Sequence, residues 1–279
     1  MAVDAAMMGR LDKVWRGFGT GLFLALIGVV GSVLALTLFP LLCLAIRDPV
    51  SRQRRFQYVL KLCFKLYCLA IRLLGTADIT LIGAEKLKNL SGMLVVANHP
   101  SLLDVVLIMS VIPRAQCIVK AALWRHPFFR FTVRGAGYIR NDLPPEDLLE
   151  RCRATLAAGN NLIVFPEGTR TTPGQPHRLQ RGFANIATLT EADLLPIVIH
   201  CNPPMLQKGG AWWKVPERRP RFVVEVGEQL DIQQFLRYRS RPLAARKLVA
   251  FLDDYFTEKL FDDRPGDGPE TPHHNLAEA

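Results

Sequence analysis

Hydrophobic and polar positions change rhythm along this chain. From Gly17 to Ile46 no residue is charged, a run of about thirty positions where about twenty suffice to cross a bilayer. Leu, Val, Ala and Phe dominate it, with Gly28, Gly31 and Pro40 interspersed. The run predicts a membrane-embedded helix over 17–46, broken at Pro40, whose ring removes a helix hydrogen bond. A signal peptide has a shorter apolar core, and no small-x-small cleavage site follows. The next stretch, 52–74, reads as a second helix. Arg54, Lys61, Lys65 and Arg72 fall seven, four and seven apart, on one stripe, and Leu60, Phe64, Tyr67 and Ile71 line another side. A basic stripe on an otherwise apolar helix suits the membrane interface, with cations at anionic headgroups. The alternative is a helix packed on the domain that follows, its stripe merely solvated.

From about residue 76 the period shortens. Ile79-Ile82, Met93-Ala97, Cys117-Val119, Tyr138-Ile139, Leu162-Phe165, Leu195-His200 and Phe222-Val226 read as strands. Several are continuous apolar runs, as in a sheet covered on both faces. Helices are expected near Ser101-Ser110, Pro127-Val133, Pro145-Ala158, Gly182-Thr190 and Pro242-Leu260. The fold class is therefore α/β, a single domain over 76–262 with a mixed, mostly buried central sheet flanked by helices, preceded by an N-terminal membrane anchor over 1–75. The segment 263–279, rich in Pro, Gly and acid, reads as a disordered tail.

Charge narrows the partners. The formal net charge is +10, which suits nucleic acid, anionic headgroups or an acidic carrier. No nucleic-acid-binding signature accompanies it, so lipid or an acidic acyl donor is preferred. Arg10, Lys13 and Arg16 precede the apolar run, and Arg47, Arg52, Arg54 and Arg55 follow it. That symmetry gives no clean orientation and suits a re-entrant anchor with both ends cytoplasmic, although one spanning helix fits too. The six cysteines form no C-x2-C pair and read as reduced thiols. His126, His177 and His200 are isolated and His273-His274 lie in the tail, so no metal site is expected. Trp212, Trp213, Phe128 and Phe129, with Lys208, Lys214, Arg218 and Arg219 nearby, suit either a headgroup-facing surface or ordinary packing.

Candidate chemistry concentrates in Asn98-His99-Pro100-Ser101-Leu102-Leu103-Asp104 and, about sixty residues on, Phe165-Pro166-Glu167-Gly168-Thr169-Arg170. A histidine with a carboxylate close behind it can take a proton from an alcohol: the imidazole is the base, and the carboxylate fixes its tautomer. No serine or cysteine nearby sits in a nucleophile elbow, so the pair points to direct attack by a substrate hydroxyl. Glu167 and Arg170 suit a polar or anionic acceptor. Each piece also has a plainer reading. Ser101 and Asp104 fit a capping box, and Pro166-Glu167-Gly168-Thr169 fits a polar turn after a strand.

At these residues the chain resembles the glycerolipid acyltransferases typified by lysophosphatidate acyltransferase. The resemblance covers about Leu81 to Val226. Asn98-His99-x4-Asp104 matches the catalytic block; Lys120 with Gly137-Tyr138-Ile139-Arg140, the second; Phe165 to Arg170, the third; Leu195-Pro196-Ile197-Val198, the fourth. It implies that His99 is the general base and Asp104 its orienting partner. It further implies that Lys120, Arg140 and Arg170 bind the acceptor's phosphate, while Glu167, with Gly168 and Thr169, shapes the acceptor pocket. Gln180-Arg181-Gly182 stands where many members carry Lys-Gly, so Arg181 keeps the charge with different geometry. The activity implied is acyl transfer, without a cofactor, from acyl-CoA or acyl carrier protein to lysophosphatidate or a related lysophospholipid, at the cytoplasmic (inner) membrane with the catalytic domain facing the cytoplasm. The alternatives are an ornithine-lipid or polyene-lipid type of acceptor, or a non-catalytic membrane protein that binds lipid or carrier.

Overall fold

A computed structural model describes residues 2–126, 129–171 and 178–262. Seven strands form one mixed sheet in the order β1-β7-β6-β2-β5-β3-β4. They are β1 Asp78–Ile82, β2 Leu94–Ala97, β3 Ala115–Val119, β4 Ile139–Arg140, β5 Asn161–Val164, β6 Leu194–Asn202 and β7 Arg221–Val226. All neighbours pair parallel except β6 and β7. The sequence pattern explains each strand's place. Every residue of β2 and β5 is buried, as continuous apolar runs require of central strands, whereas β1 and β7 alternate. Period-two alternation along β2 sends Val95 and Ala97 into one core and Leu94 and Val96 into the other.

The first core lies under α3 Pro49–Leu73, α4 Asp104–Val111 and α6 Arg130–Gly135; the second lies under α7 Pro145–Ala157, α8 Gly182–Thr190 and α10 Arg241–Asp262. Each strand and long helix of this domain that the sequence predicts is found within a few residues. The short helical elements it does not predict are α5 Ala121–Arg125, α9 Gln233–Leu236 and a single 3-10 turn, Ala84–Leu87. Phe128, the start of the Pro127–Val133 helix, and the tail 263–279 lie outside the described residues.

The N-terminal region departs from expectation in two ways. First, the helix is not broken at Pro40. It runs as α1 Ala2–Val33, a wide π turn Leu34–Leu38, and α2 Phe39–Ala45. The Phe39 amide donates to the Leu34 carbonyl, and this wider turn makes room for a proline ring that would otherwise meet the carbonyl four residues back. Second, α3 starts at Pro49, capped by Asp48, which accepts from the Ser51 amide at 2.8 Å. It packs on the domain through Phe56, Leu60, Cys68 and Ile71. Its stripe is not wholly at headgroups: Lys61 turns inward and donates to the Val111 carbonyl at the end of α4, 2.9 Å away. Tyr58, Leu62, Leu66 and Leu73 remain exposed along the helix.

Gly9–Ala45 is the one described helical run long and apolar enough to cross a membrane, yet it also lies against the domain. Phe23 meets Tyr67 edge to face at 5.3 Å and Phe39 meets Phe56 at 4.4 Å. Near its start, Arg16 is only 1% exposed. Its guanidinium pairs with Asp12 and donates to the carbonyls of Pro216, Glu217 and Arg218 at 2.9–3.1 Å. Lys13 pairs with Glu217, and Trp15 Nε1 donates to the Leu74 carbonyl.

Candidate active site

The parallel neighbours β2 and β5 end side by side, next to β6, which runs on to Asn202, and the loops beyond the carboxyl ends of these strands build the site, the usual place for one in such a sheet. Asn98 continues the ladder past β2 with its side chain. Its amide donates to the Ile199 carbonyl at 2.8 Å and its oxygen accepts from the Ile199 amide at 2.7 Å. This sets the direction in which the chain enters His99.

His99 Nδ1 lies 2.7 Å from Asp104 Oδ2. Asp104 is fully buried and the imidazole 16% exposed. The same Oδ2 accepts from the Ser101 amide at 2.7 Å, and Ser101 Oγ accepts from the Leu103 amide at 3.3 Å. The capping arrangement and the His99–Asp104 pair are thus one structure, with α4 starting at Asp104 itself. Asp104 Oδ1 is buried without a hydrogen-bond partner. Burial pushes the Asp104 carboxyl up from 3.8 to about 6, against the opposing pull of the hydrogen bond from His99. Phe165 stacks on the imidazole at 4.2 Å, fixing its plane.

Glu167 ties the second loop to the first. Its Oε1 accepts from the His99 backbone amide at 2.9 Å and from Thr171 Oγ1 at 3.0 Å, while the Thr171 amide donates to the His99 carbonyl at 2.7 Å. Gly168, at φ +69°, lets the chain reverse between them. The Pro166 carbonyl accepts from the Gln180 amide at 2.7 Å, so Gln180 and the exposed Arg181 stand beside the Glu167-Gly168-Thr169 turn.

The cations are more dispersed. Arg170 Nη1 donates to the carbonyls of Leu206 and Gln207 at 2.8 and 3.2 Å, in the loop beyond β6. Leu206 also accepts from the Leu102 amide. Arg170 therefore clamps that loop onto the site with part of its guanidinium. Arg140, two strands away from β5, is ion-paired to Asp142 at 2.7 Å, although no acceptor lies in line with its Nε–H. Lys120 is exposed at the end of β3. Neither Lys120 nor Arg140 makes a hydrogen bond or ion pair to His99, Asp104 or Glu167. Sequence reasoning missed Thr171, the Asn98 bridge to Ile199 and the stacking role of Phe165. Only Asn98 and Phe165 carried a signal, as members of the matched blocks.

Residues 78–200 match the acyltransferase family model, a span that contains all four sequence blocks. Over 111 residues the chain is 33% identical to a 1-acyl-sn-glycerol-3-phosphate acyltransferase of Cocos nucifera, covering 37% of this chain and 36% of that one. Over 112 residues it is 31% identical to the Helicobacter pylori enzyme of the same name, covering 38% and 47%. The chain thus spans less than half the length of these relatives. Its fold is similar to the crystal structure of the 1-acyl-sn-glycerophosphate acyltransferase from Thermotoga maritima, with a TM-score of 0.68, 20% identity, and 93% and 100% of the two chains covered. The expected α/β fold and the resemblance to glycerolipid acyltransferases are met.

Proposed function

We propose that this chain, which carries an acyltransferase-family domain over residues 78–200, is a membrane-bound O-acyltransferase. It moves a fatty acyl group from acyl-CoA or acyl carrier protein to the free hydroxyl of lysophosphatidate, with His99 as general base. The observation that carries this reading is the 2.7 Å contact between His99 Nδ1 and the buried Asp104 carboxylate. With Nδ1–H donated to Asp104, the imidazole keeps Nε2 unprotonated for the substrate. Nε2 takes the proton of the hydroxyl as its oxygen attacks the thioester carbonyl. The tetrahedral oxyanion collapses, the carbon–sulfur bond breaks, and the proton passes from the imidazolium to the departing thiolate. Glu167 holds the His99 backbone, so its part is to place the base. The names of the relatives support lysophosphatidate as acceptor. The apolar run Gly9–Ala45 and the exposed Trp212 and Trp213 support a membrane seat.

A second reading keeps the chemistry and changes the acceptor. Arg170 is partly committed to carbonyls and Arg140 to Asp142. Of the three cations expected at the phosphate, only Lys120 is uncommitted among the described residues. A weaker phosphate clamp would suit an ornithine-lipid or polyene-lipid type of alcohol.

The test is acyl transfer by the detergent-solubilised protein from a long-chain acyl-CoA, and separately from acyl carrier protein, to lysophosphatidate and to phosphate-free monoacylglycerol. Transfer to lysophosphatidate alone, abolished in His99→Ala while the variant stays folded, is the expected result. Full activity of that variant overturns the base assignment. Transfer to neither acceptor by a folded protein favours the second reading.

A further inference from the structure

We propose that a groove beside the outer strand β4 seats the phosphorylated, nucleotide end of the acyl donor. This assignment rests on acyl transfer at His99. The groove encloses about 540 Å³ between α3, α5, α6 and α7 and runs along the free edge of β4, within the size range of small-molecule sites. Its lining mixes apolar surface with polar side chains. Gln116, Thr155 and Asn160 line it as buried polar side chains. Beside them Gln57, itself 5% exposed, donates to Asn160 Oδ1 at 3.2 Å and leaves its own buried Oε1 without a donor. The primary amides of Gln116 and Asn160 in the lining carry both donors and acceptors, as a heterocycle edge does.

The charge is equally selective. Of the three arginines in the lining, Arg140 shares Asp142 with Arg125. Arg134, standing over the Trp124 ring at 5.6 Å, and Arg151 on α7 have no carboxylate partner among the described residues. Two uncompensated guanidiniums flanking a concave, amide-lined space are a phosphate-binding arrangement. A flat protein partner would not use the concavity.

Position completes the argument. The strands from β2 to β4 are β2, β5, β3 and β4, so three strand spacings, about 14 Å, lie between the His99 loop and the carboxyl end of the groove at Arg140 and Leu143. The parallel strands send their carboxyl ends the same way. Gln116, Tyr138 and Asn160 sit at the amino ends of β3, β4 and β5, so a donor whose thioester and phosphates are joined by an extended arm would cross that distance and then run down the groove beside β4.

Binding of adenosine 3′,5′-bisphosphate and of desulfo-coenzyme A to the full-length solubilised protein should be measured by calorimetry, in wild type and in the Arg134→Glu/Arg151→Glu double variant. Both side chains are exposed, and circular dichroism confirms folding. The expected result is binding by wild type, weakened at least about tenfold in the variant, with a matching rise in KM for acyl-CoA and none in KM for lysophosphatidate. Equal binding to both proteins, or to neither, overturns the assignment. So does displacement of the nucleotide by glycerol 3-phosphate, which would give the groove to the acceptor or a lipid headgroup. Turnover of acyl carrier protein without nucleotide binding overturns it as well. If wild type binds the nucleotide but transfers no acyl group, it is the proposed reaction that fails, and the donor assignment that rests on it is overturned too.

Discussion

Replacing Asp104 by asparagine should separate the stability of this protein from its activity. In the native state the carboxyl is fully buried, one oxygen shared by His99 Nδ1 and the Ser101 amide and the other without a partner. Burial outweighs these bonds and raises its pKa from 3.8 to about 6. At about 1.4 kcal/mol per pH unit, that displacement is about 3 kcal/mol of cost in keeping the group ionised. The sign follows from proton counting. Between about pH 4 and 6 the native protein binds more protons than the unfolded chain, so wild-type stability falls as pH rises through this window and is level above it. Asparagine carries no such charge and retains an oxygen for the Ser101 amide. Asp104→Asn should therefore gain on wild type by up to about 3 kcal/mol between pH 4 and pH 7, read as the difference between their denaturation curves at the two pH values. Its amide also favours the imidazole tautomer with the proton on Nε2, which cannot act as base, so turnover should fall by about three to four orders of magnitude. A pH-independent difference in stability, or a variant that keeps its turnover, refutes the reasoning.

Further outcomes follow from other contacts. Asn98→Ala removes two buried hydrogen bonds to Ile199 and should cost about 2–4 kcal/mol, seen as a lower denaturation midpoint, because both backbone partners are left unsatisfied. Arg170→Ala should cost about 1–3 kcal/mol through the lost bonds to Leu206 and Gln207; it should also raise KM for lysophosphatidate more than for the donor, and an effect on donor KM alone contradicts its place beside the acceptor. Arg16→Met leaves the Pro216, Glu217 and Arg218 carbonyls without their donor, so proteolysis within 203–220 should quicken before the domain unfolds.

The parts of this fold legible in the sequence are those written locally. Leu94–Ala97 and Leu162–Phe165 are short apolar runs flanked by polar turns, and a run buried on both faces has few other places to go. His99 and Asp104 are five residues apart, so a single turn of chain leading into α4 brings them together. Phe165 and Glu167 follow a central strand as His99 does, and adjacent parallel strands deliver both loops to one edge. What stayed hidden depends on partners without sequence identity. Arg170 and Arg16 end on backbone carbonyls, which any residue offers, and the acceptors of Arg16 lie some two hundred positions away. Lys61 counted toward a stripe facing headgroups because nothing local reveals that the last carbonyl of α4 needs a donor. Pro40 read as a break because spacing alone does not announce a π turn.

The bond between Arg16 and the loop beyond β6 bears on distance. That loop meets α1 at residues 216–218 and, ten residues earlier, gives the Leu206 carbonyl to Arg170 and to the Leu102 amide within the His99 loop. Farther along the same helix, Phe23 and Phe39 are packed against α3. The apolar helix is thus not on a tether: it is bolted at several points to the body that holds the base. Whatever surface α1 rests on is held at one depth and one tilt relative to His99, so how far a substrate must rise from that surface is a constant of the fold.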